Sequence, residues 1–326
     1  MLITNYDRRE LLAETLRSIL DAVDFPVEVL VGNANLNRPI DGRYTGISSP
    51  EVLYINHPHQ YDTWENYRVM LRQSTGRYVT SISDDDLFHP QFFASFKAAL
   101  THRKEFVCLY TSYTSSESEF RSIRSTGDEL SVYSGDEFFA KLVRQEVRVM
   151  GNCGCFSREF LETVDGFPQW DTCYYPDTFQ ALYLASCTDT VLFVDQPLVF
   201  YRDHAGSTSS FSRPMSVLVE SQDEFLGKTA ALIGKQYPQH RSEYLRLLLS
   251  RLVIPMYWQW KFVRHNDVSC PSSTFREAVL RPHVRTMSTG DKIRVEAANG
   301  LAAAKYMLKR ALAGSQWLHR RSSAAL

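Results

Sequence analysis

Apolar and polar positions follow two rhythms along this chain, and the change between them divides it. In the first part, short apolar runs alternate with segments of helical spacing. Leu2-Ile3-Thr4 is a short strand, and Asp7 can cap a helix whose Leu12, Leu16, Ile19 and Leu20 share one face. Pro26 precedes a second strand, Val27-Glu28-Val29-Leu30-Val31. Strand, helix and strand within about 30 residues make a βαβ unit with parallel strands and a right-handed crossover. A Gly-, Asn- and Pro-containing loop from Gly32 to Pro50 leads to the strand Val52–Ile55. The helix Thr63–Gln73 ends near Gly76, and the strand Tyr78–Ile82 runs directly into Ser83-Asp84-Asp85-Asp86.

Further helices are predicted from Pro90 to Leu100, from Asp136 to Arg144 behind Ser134, over 157–165, and from Tyr175-Pro176-Asp177 to Ser186. Strands are predicted at Val107–Tyr110, Val191–Val194 and Leu198–Tyr201, and an exposed hairpin or loop at the Ser-rich Thr111–Thr126. After Ser212-Arg213-Pro214 the strand rhythm stops and long helical patterns take over. The expected organisation is an α/β domain over 1–213 with a mostly parallel, Rossmann-like sheet, then an all-helical region over 214–326. The most apolar helical stretch, Tyr244–Val263, is interrupted by Arg246, Arg251, Gln259 and Lys261. A spanning helix needs ~20 predominantly apolar residues, so this stretch is expected to be buried in the protein, with Tyr257, Trp258, Trp260 and Phe262 as its core stripe.

Composition adds three constraints. The chain has 326 residues, 44% of them apolar and 22% charged, which excludes a wholly disordered chain. Its net charge of −1 hides an asymmetry. Residues 276–326 hold ten basic and three acidic side chains (+7), leaving 26 basic and 34 acidic (−8) before them. A basic tail on an acidic body calls for an anionic partner. Ala302–Leu318 has a weakly amphipathic basic pattern suited to an anionic membrane surface, and no nucleic-acid partner is expected. The start lacks a basic region followed by an apolar stretch, so the expectation is a cytoplasmic protein, peripheral at the inner membrane surface, with free thiols. Cys153 and Cys155 form the only close cysteine pair, with no second pair to complete a zinc site.

The chemistry gathers at Asp84-Asp85-Asp86. Three like charges at the end of an apolar strand repel one another, and open α/β sheets bind ligands at such strand ends. Oxygen donors of this kind suit Mg²⁺ or Mn²⁺. A solvated turn before Pro90 is the alternative reading of the triplet by itself.

The wider arrangement resembles the inverting family 2 glycosyltransferases of the GT-A fold. Ile3-Thr4-Asn5-Tyr6 and Leu16-Arg17-Ser18-Ile19 resemble their first strand and helix, and Val27–Val31 their second strand. Trp64-Glu65-Asn66-Tyr67, Gly76-Arg77-Tyr78-Val79, the acids and Pro90 resemble the approach to their DxD motif. Gly151-Asn152-Cys153-Gly154, Gly166-Phe167, Asp177, Pro197-Leu198, Tyr201-Arg202, His204 and Ser207 resemble their acceptor half. The resemblance covers about 1–210 and stops short of the helical tail.

The resemblance implies a metal-dependent transfer, with inversion, from a nucleotide-diphosphate sugar, UDP-sugar favoured, to a hydroxyl of a glycan or lipid-linked acceptor, as in surface polysaccharide synthesis. It implies that Thr4 and Tyr6 line the base pocket and that Asp84 and Asp85 hold ribose and diphosphate. Asp86 would ligate Mn²⁺ or Mg²⁺, with His204 a second ligand, and Asp177 would be the catalytic base. The family's acid after the second strand is missing here. Asn33 is its nearest substitute, since an amide can pair with a base edge. Two other readings are a nucleotidyltransferase, which would want a glycine-rich phosphate loop that Asn5–Arg9 lacks, and a non-catalytic glycan- or partner-binding relative.

Overall fold

The computed structural model describes residues 1–322 except 104, 125–129, 205–212 and 264–271, and gives only the backbone for 262–263 and 310–322. The chain divides into two compact units. One comprises Met1–Leu142, Glu146–Trp170 and Pro176–Asp203, the other Val143–Gln145, Asp171–Tyr175 and His204–Leu326.

The first unit is built on one mixed sheet. Its strands are β1 (Leu2–Asn5), β2 (Val29–Asn33), β3 (Val52–Asn56), β4 (Tyr78–Ser83), β5 (Leu87–Phe88), β6 (Cys108–Thr114), β7 (Leu130–Tyr133), β8 (Gly154–Ser157) and β9 (Val191–Phe200). They lie in the order β3-β2-β1-β4-β8-β6-β9-β5, with β7 also on β9. The pairs β1–β2, β2–β3, β1–β4 and β6–β9 are parallel, while β8 runs against both β4 and β6. The predominantly parallel half is β3-β2-β1-β4, as the repeated strand–helix rhythm required. Its central strands β1 and β2 are apolar on both faces, and Leu2, Ile3, Val29, Leu30 and Val31 are fully buried between covering helices.

The unit's helices are α1 (Arg9–Leu20), α2 (Gly42–Thr45), α3 (Thr63–Gln73), α4 (Pro90–His102), α5 (Glu117–Ser122), α6 (Gly135–Val143), which runs into the second unit, α7 (Arg158–Val164) and α8 (Pro176–Ser186). α1 buries Leu12, Leu16 and Ile19, the stripe its spacing predicts. Asp7 does not cap it. The residue adopts a left-handed φ of 59°, and its carboxylate accepts from Asn35 and Arg38 instead. Asp62 caps α3 by accepting from the amides of Trp64 and Glu65.

Three sequence expectations change. Thr111–Thr126 is not one exposed loop: Thr111–Thr114 continue β6 in the buried sheet, and Glu117–Ser122 form α5. The two strands expected at 191–201 are one, β9, whose register against β6 shifts around Ser112, letting the chain pass Pro197 without a break. β7 and β8 had no clear period-2 signal and owe their conformation to their neighbours.

The second unit is helical: α9 (Met215–Gln236), α10 (Arg241–Leu248), α11 (Ile254–Val263), α12 (Ser272–Phe275), α13 (Arg281–Val284) and α14 (Thr289–Ser322). A π-helical segment, Leu249–Val253, joins α10 to α11, and the Gln222 side chain donates to the Val253 carbonyl at 3.1 Å. Tyr257 and Trp260 are buried as expected, with Tyr257 stacked on Phe275 at 3.8 Å between ring centroids. Among the described residues no helix is long and apolar enough to cross a membrane.

Candidate active site

Strand order determines where a ligand can enter. From β1 the chain builds outward to β2 and β3, then returns to place β4 on the other side of β1. The loops leaving β1 and β4 therefore diverge and open a crevice at the carboxyl ends of the strands. Thr4 pairs in register with Ser83, so Asn5 to Arg8 face Asp84 to Asp86 across it.

All three acids are almost wholly buried, which excludes the solvated-turn reading. Each has different partners. Asp84 accepts from Asn5 Nδ2 at 2.7 Å and the Tyr6 amide at 3.1 Å through Oδ2, and from Arg8 Nη1 at 2.8 Å through Oδ1. The same Arg8 nitrogen lies 2.7 Å from Asp85 Oδ2, so one cation bridges two carboxylates. Asp84 titrates at about 6, because burial outweighs the pull of Arg8 and the Asp85 charge adds to burial.

Asp86 points elsewhere. Its Oδ2 accepts from Asn152 Nδ2 at 3.2 Å and its Oδ1 from the Arg202 amide at 3.0 Å. Burial first, then the Asp85 charge, hold it well above the ordinary carboxylate range. The turn is anchored from behind by Thr15, whose hydroxyl lies 2.8 Å from the Asp86 carbonyl and 3.1 Å from that of Asp84.

Asp177 follows Pro176 in the first turn of α8. Solvent reaches only part of the residue, and desolvation raises its carboxyl to about 6. Its charge is among those raising Asp86, so the two acids share one electrostatic neighbourhood. Gly151 ties α8 to this centre. A Cβ there would stand 1.7 Å from Gln180 Oε1, so only glycine lets the Gly151–Cys153 turn pack against α8 and present Asn152 to Asp86.

The other expected residues are placed as follows. Tyr6 is 56% exposed at the crevice edge, with its ring available for stacking. The Thr4 hydroxyl contacts Tyr67 Oη at 3.4 Å, and that phenol donates to the Ile82 carbonyl. Asn33 is buried. Its amide hydrogens are used by the Asn35 and Arg38 carbonyls and Asn56 Oδ1, and its Oδ1 accepts from the Asn35 amide. It shapes the 33–38 turn instead of offering those hydrogens to a base. Gly32 cannot carry an acid either, because a Cβ would stand 2.0 Å from Asn66 Oδ1. His204 is half-buried and begins the last stretch of the second unit. Among the described residues no group of three or more His, Cys, Asp or Glu side chains is arranged to hold a metal ion unaided.

Sequence reasoning missed Arg8, Asn5, Thr15 and Asn152. Arg8 and Asn5 carried one signal, their position at and just after the end of β1. Nothing local marks Thr15, and Asn152 carried only its place in the Gly151–Gly154 segment.

Comparisons with known proteins bear on the family and the fold. Residues 1–164 match the family model described as glycosyl transferase family 2. No curated protein sequence gives a significant match. Among solved structures, S. aureus TarS 1–349 superposes with a TM-score of 0.60 at 11% identity, covering 94% of this chain and 90% of that one. The same fragment in complex with UDP-GlcNAc gives 0.57 at 12% identity, covering 94% and 91%. The mannosyltransferase PcManGT from Pyrobaculum calidifontis, in complex with GDP-Man and Mn²⁺, gives 0.52 at 16%, covering 94% and 86%. At such identities the structural likeness speaks for the GT-A fold alone, whereas the sequence match spans half of the chain. The chain belongs to glycosyl transferase family 2, and it is a glycosyltransferase.

Proposed function

We propose that the crevice binds a nucleotide-diphosphate sugar and that the enzyme transfers the sugar, with inversion, to a hydroxyl of a glycan or lipid-linked acceptor. One observation carries this: a buried carboxylate cluster at the sheet's switch point shares its neighbourhood with Asp177, a second acid that titrates near neutrality. Two of the similar structures hold nucleotide sugars, which supports this donor class, with UDP favoured.

The chain's own groups suit the reaction. Tyr6 stacks on the base, and the Asp84 side, fixed by Asn5 and the Tyr6 amide, receives the ribose. The acceptor oxygen attacks the anomeric carbon while the bond from that carbon to the phosphate oxygen breaks. The acceptor's proton passes to Asp177, and the nucleoside diphosphate leaves. Asp177 is well matched to this, since a carboxylate with a pKa of about 6 is ionised at neutral pH yet more basic than an ordinary one.

The donor chemistry fits a hard divalent cation such as Mg²⁺ or Mn²⁺, which is commonly held by one or two carboxylates together with substrate phosphates. Such an ion, when bound, would neutralise charge developing on the leaving diphosphate. We assign it to Asp85 in preference to Asp86. Asp86 is held by Asn152 and the Arg202 amide, and Asp85 faces a cationic side chain whose place a metal ion can take. The test is hydrolysis of a panel of nucleotide sugars with added Mn²⁺ and with EDTA. Turnover of one donor that EDTA abolishes supports the proposal. Turnover unaffected by EDTA removes the metal, and turnover of none removes the donor class.

A further inference from the structure

Among the described residues, helix α14 buries one face and leaves a second, apolar face exposed. Asp291, Val295 and Tyr306 are buried on the inner face. That face is fastened within its own unit: Asp291 pairs with Arg246 at 2.7 Å and accepts from Ser242, and Trp258 Nε1 donates to Asn299 at 2.9 Å. The helix is therefore held without using its outer face.

The outer face is apolar as well. Ile293 is 65% exposed, Leu301 74%, and Met307 and Leu308 62% each. Ala297, Gly300 and Ala304 lie between them and are also exposed. At about 100° per residue these positions span roughly 120° of the helix, opposite Val295 and Tyr306. The strip runs about 22 Å along the axis at 1.5 Å per residue. Exposed apolar residues scattered singly are ordinary, but a continuous strip of large ones marks an interaction surface.

Charge selects the occupant. Arg294, which also lies 3.6 Å from Asp291, and Lys305 follow one edge of the strip, with Lys309 further round the helix. Glu296, the carboxylate beside it, is paired with Arg276 at 3.0 Å. From Arg276 to the chain end, ten basic side chains stand against three acidic ones. A second copy of the chain docking through this face would bring the same cationic edge against itself. A surface of anionic lipid headgroups over acyl chains offers negative charge to the edge and apolar depth to the strip.

We propose that the outer face of α14, from Ile293 to Lys309, is a docking surface for an anionic lipid bilayer, on which the helix lies in the interfacial plane. The test is sedimentation of the full chain with vesicles of phosphatidylcholine alone and with about one third phosphatidylglycerol. The expected result is binding at least ~10-fold tighter to the anionic vesicles and weakened by salt, since each surface-facing cation contributes through a screened potential. Leu301→Glu with Leu308→Glu should lower that binding by ~10-fold or more at unchanged thermal midpoint, because both side chains stand in solvent. Lys305→Glu should also lower it through charge, and serves if the first pair disturbs folding. No binding to either vesicle, equal binding to both, or native binding by both variants overturns the proposal. So does a vesicle-free dimer that Leu301→Glu with Leu308→Glu dissociates, which would give the face to a second copy.

Discussion

Replacing Asp177 by asparagine should slow transfer and stabilise the protein at the same time. The side chain keeps its size, loses its charge and can no longer accept the acceptor's proton. Burial lifts this carboxyl from an ordinary 3.8 to about 6, a little over two pH units. At about 1.4 kcal/mol per unit, keeping it ionised at neutral pH costs the folded state up to ~3 kcal/mol. Partial solvent access makes ~2 kcal/mol the better figure. Because the folded pKa is raised, the favourable contribution of the protonated form is complete below about pH 4 and is lost as pH rises through about 6. The wild-type enzyme thus bears the penalty at pH 7, whereas the asparagine variant bears it at no pH. Thermal unfolding should show the variant a few degrees more stable at pH 7 and level with the wild type near pH 4. Turnover should fall ~10²-fold or more, the usual scale for a lost general base, while donor affinity stays near native. The wild-type rate should rise with pH through about 6. A variant that is less stable at pH 7, or one that transfers sugar at the native rate, would refute the reasoning, the first for the desolvation and the second for the base.

Four further expectations follow from the geometry. Asp85→Asn should cost ~10²-fold in Mn²⁺-dependent affinity for the nucleoside diphosphate by calorimetry, whereas Asp86→Ala should lower unfolding stability by ~2–3 kcal/mol, because it strips the acceptor from the Arg202 amide and Asn152. Arg8→Gln removes the cation shared by Asp84 and Asp85 and should reduce stability at pH 7 by ~3 kcal/mol in denaturant titrations. Gly151→Ala forces a Cβ into Gln180 and should cost ~2 kcal/mol or more, with activity falling as Asn152 shifts away from Asp86. Sedimentation with anionic vesicles should capture the full chain and lose it when Leu301 and Leu308 become glutamate.

The sequence alone was enough for the elements whose cause is local. Leu12, Leu16 and Ile19 recur at helical spacing, and α1 buries that stripe because a helix of this pattern has one way to leave water. The apolar run at 78–82 ends in three acids, and a parallel strand delivers whatever follows it to the sheet's ligand edge. The triplet could therefore be located, and Asp177 at a helix start, before any coordinates. Local pattern did not reveal what each acid does. Asp84, Asp85 and Asp86 are chemically identical in sequence. They become different because Arg8 lies 76 residues before Asp84, Asn152 lies 66 residues after Asp86, and Arg202 lies 116 after it. Asn33 looked able to read a base until the 33–38 turn enclosed its amide. β7 and β8 lacked a strand rhythm and became strands only because β9, β4 and β6 had edges to pair. Short-range stereochemistry set the elements with a clear rhythm, while long-range packing set the rest and decided which polar groups lost water, and with it their partners and charge.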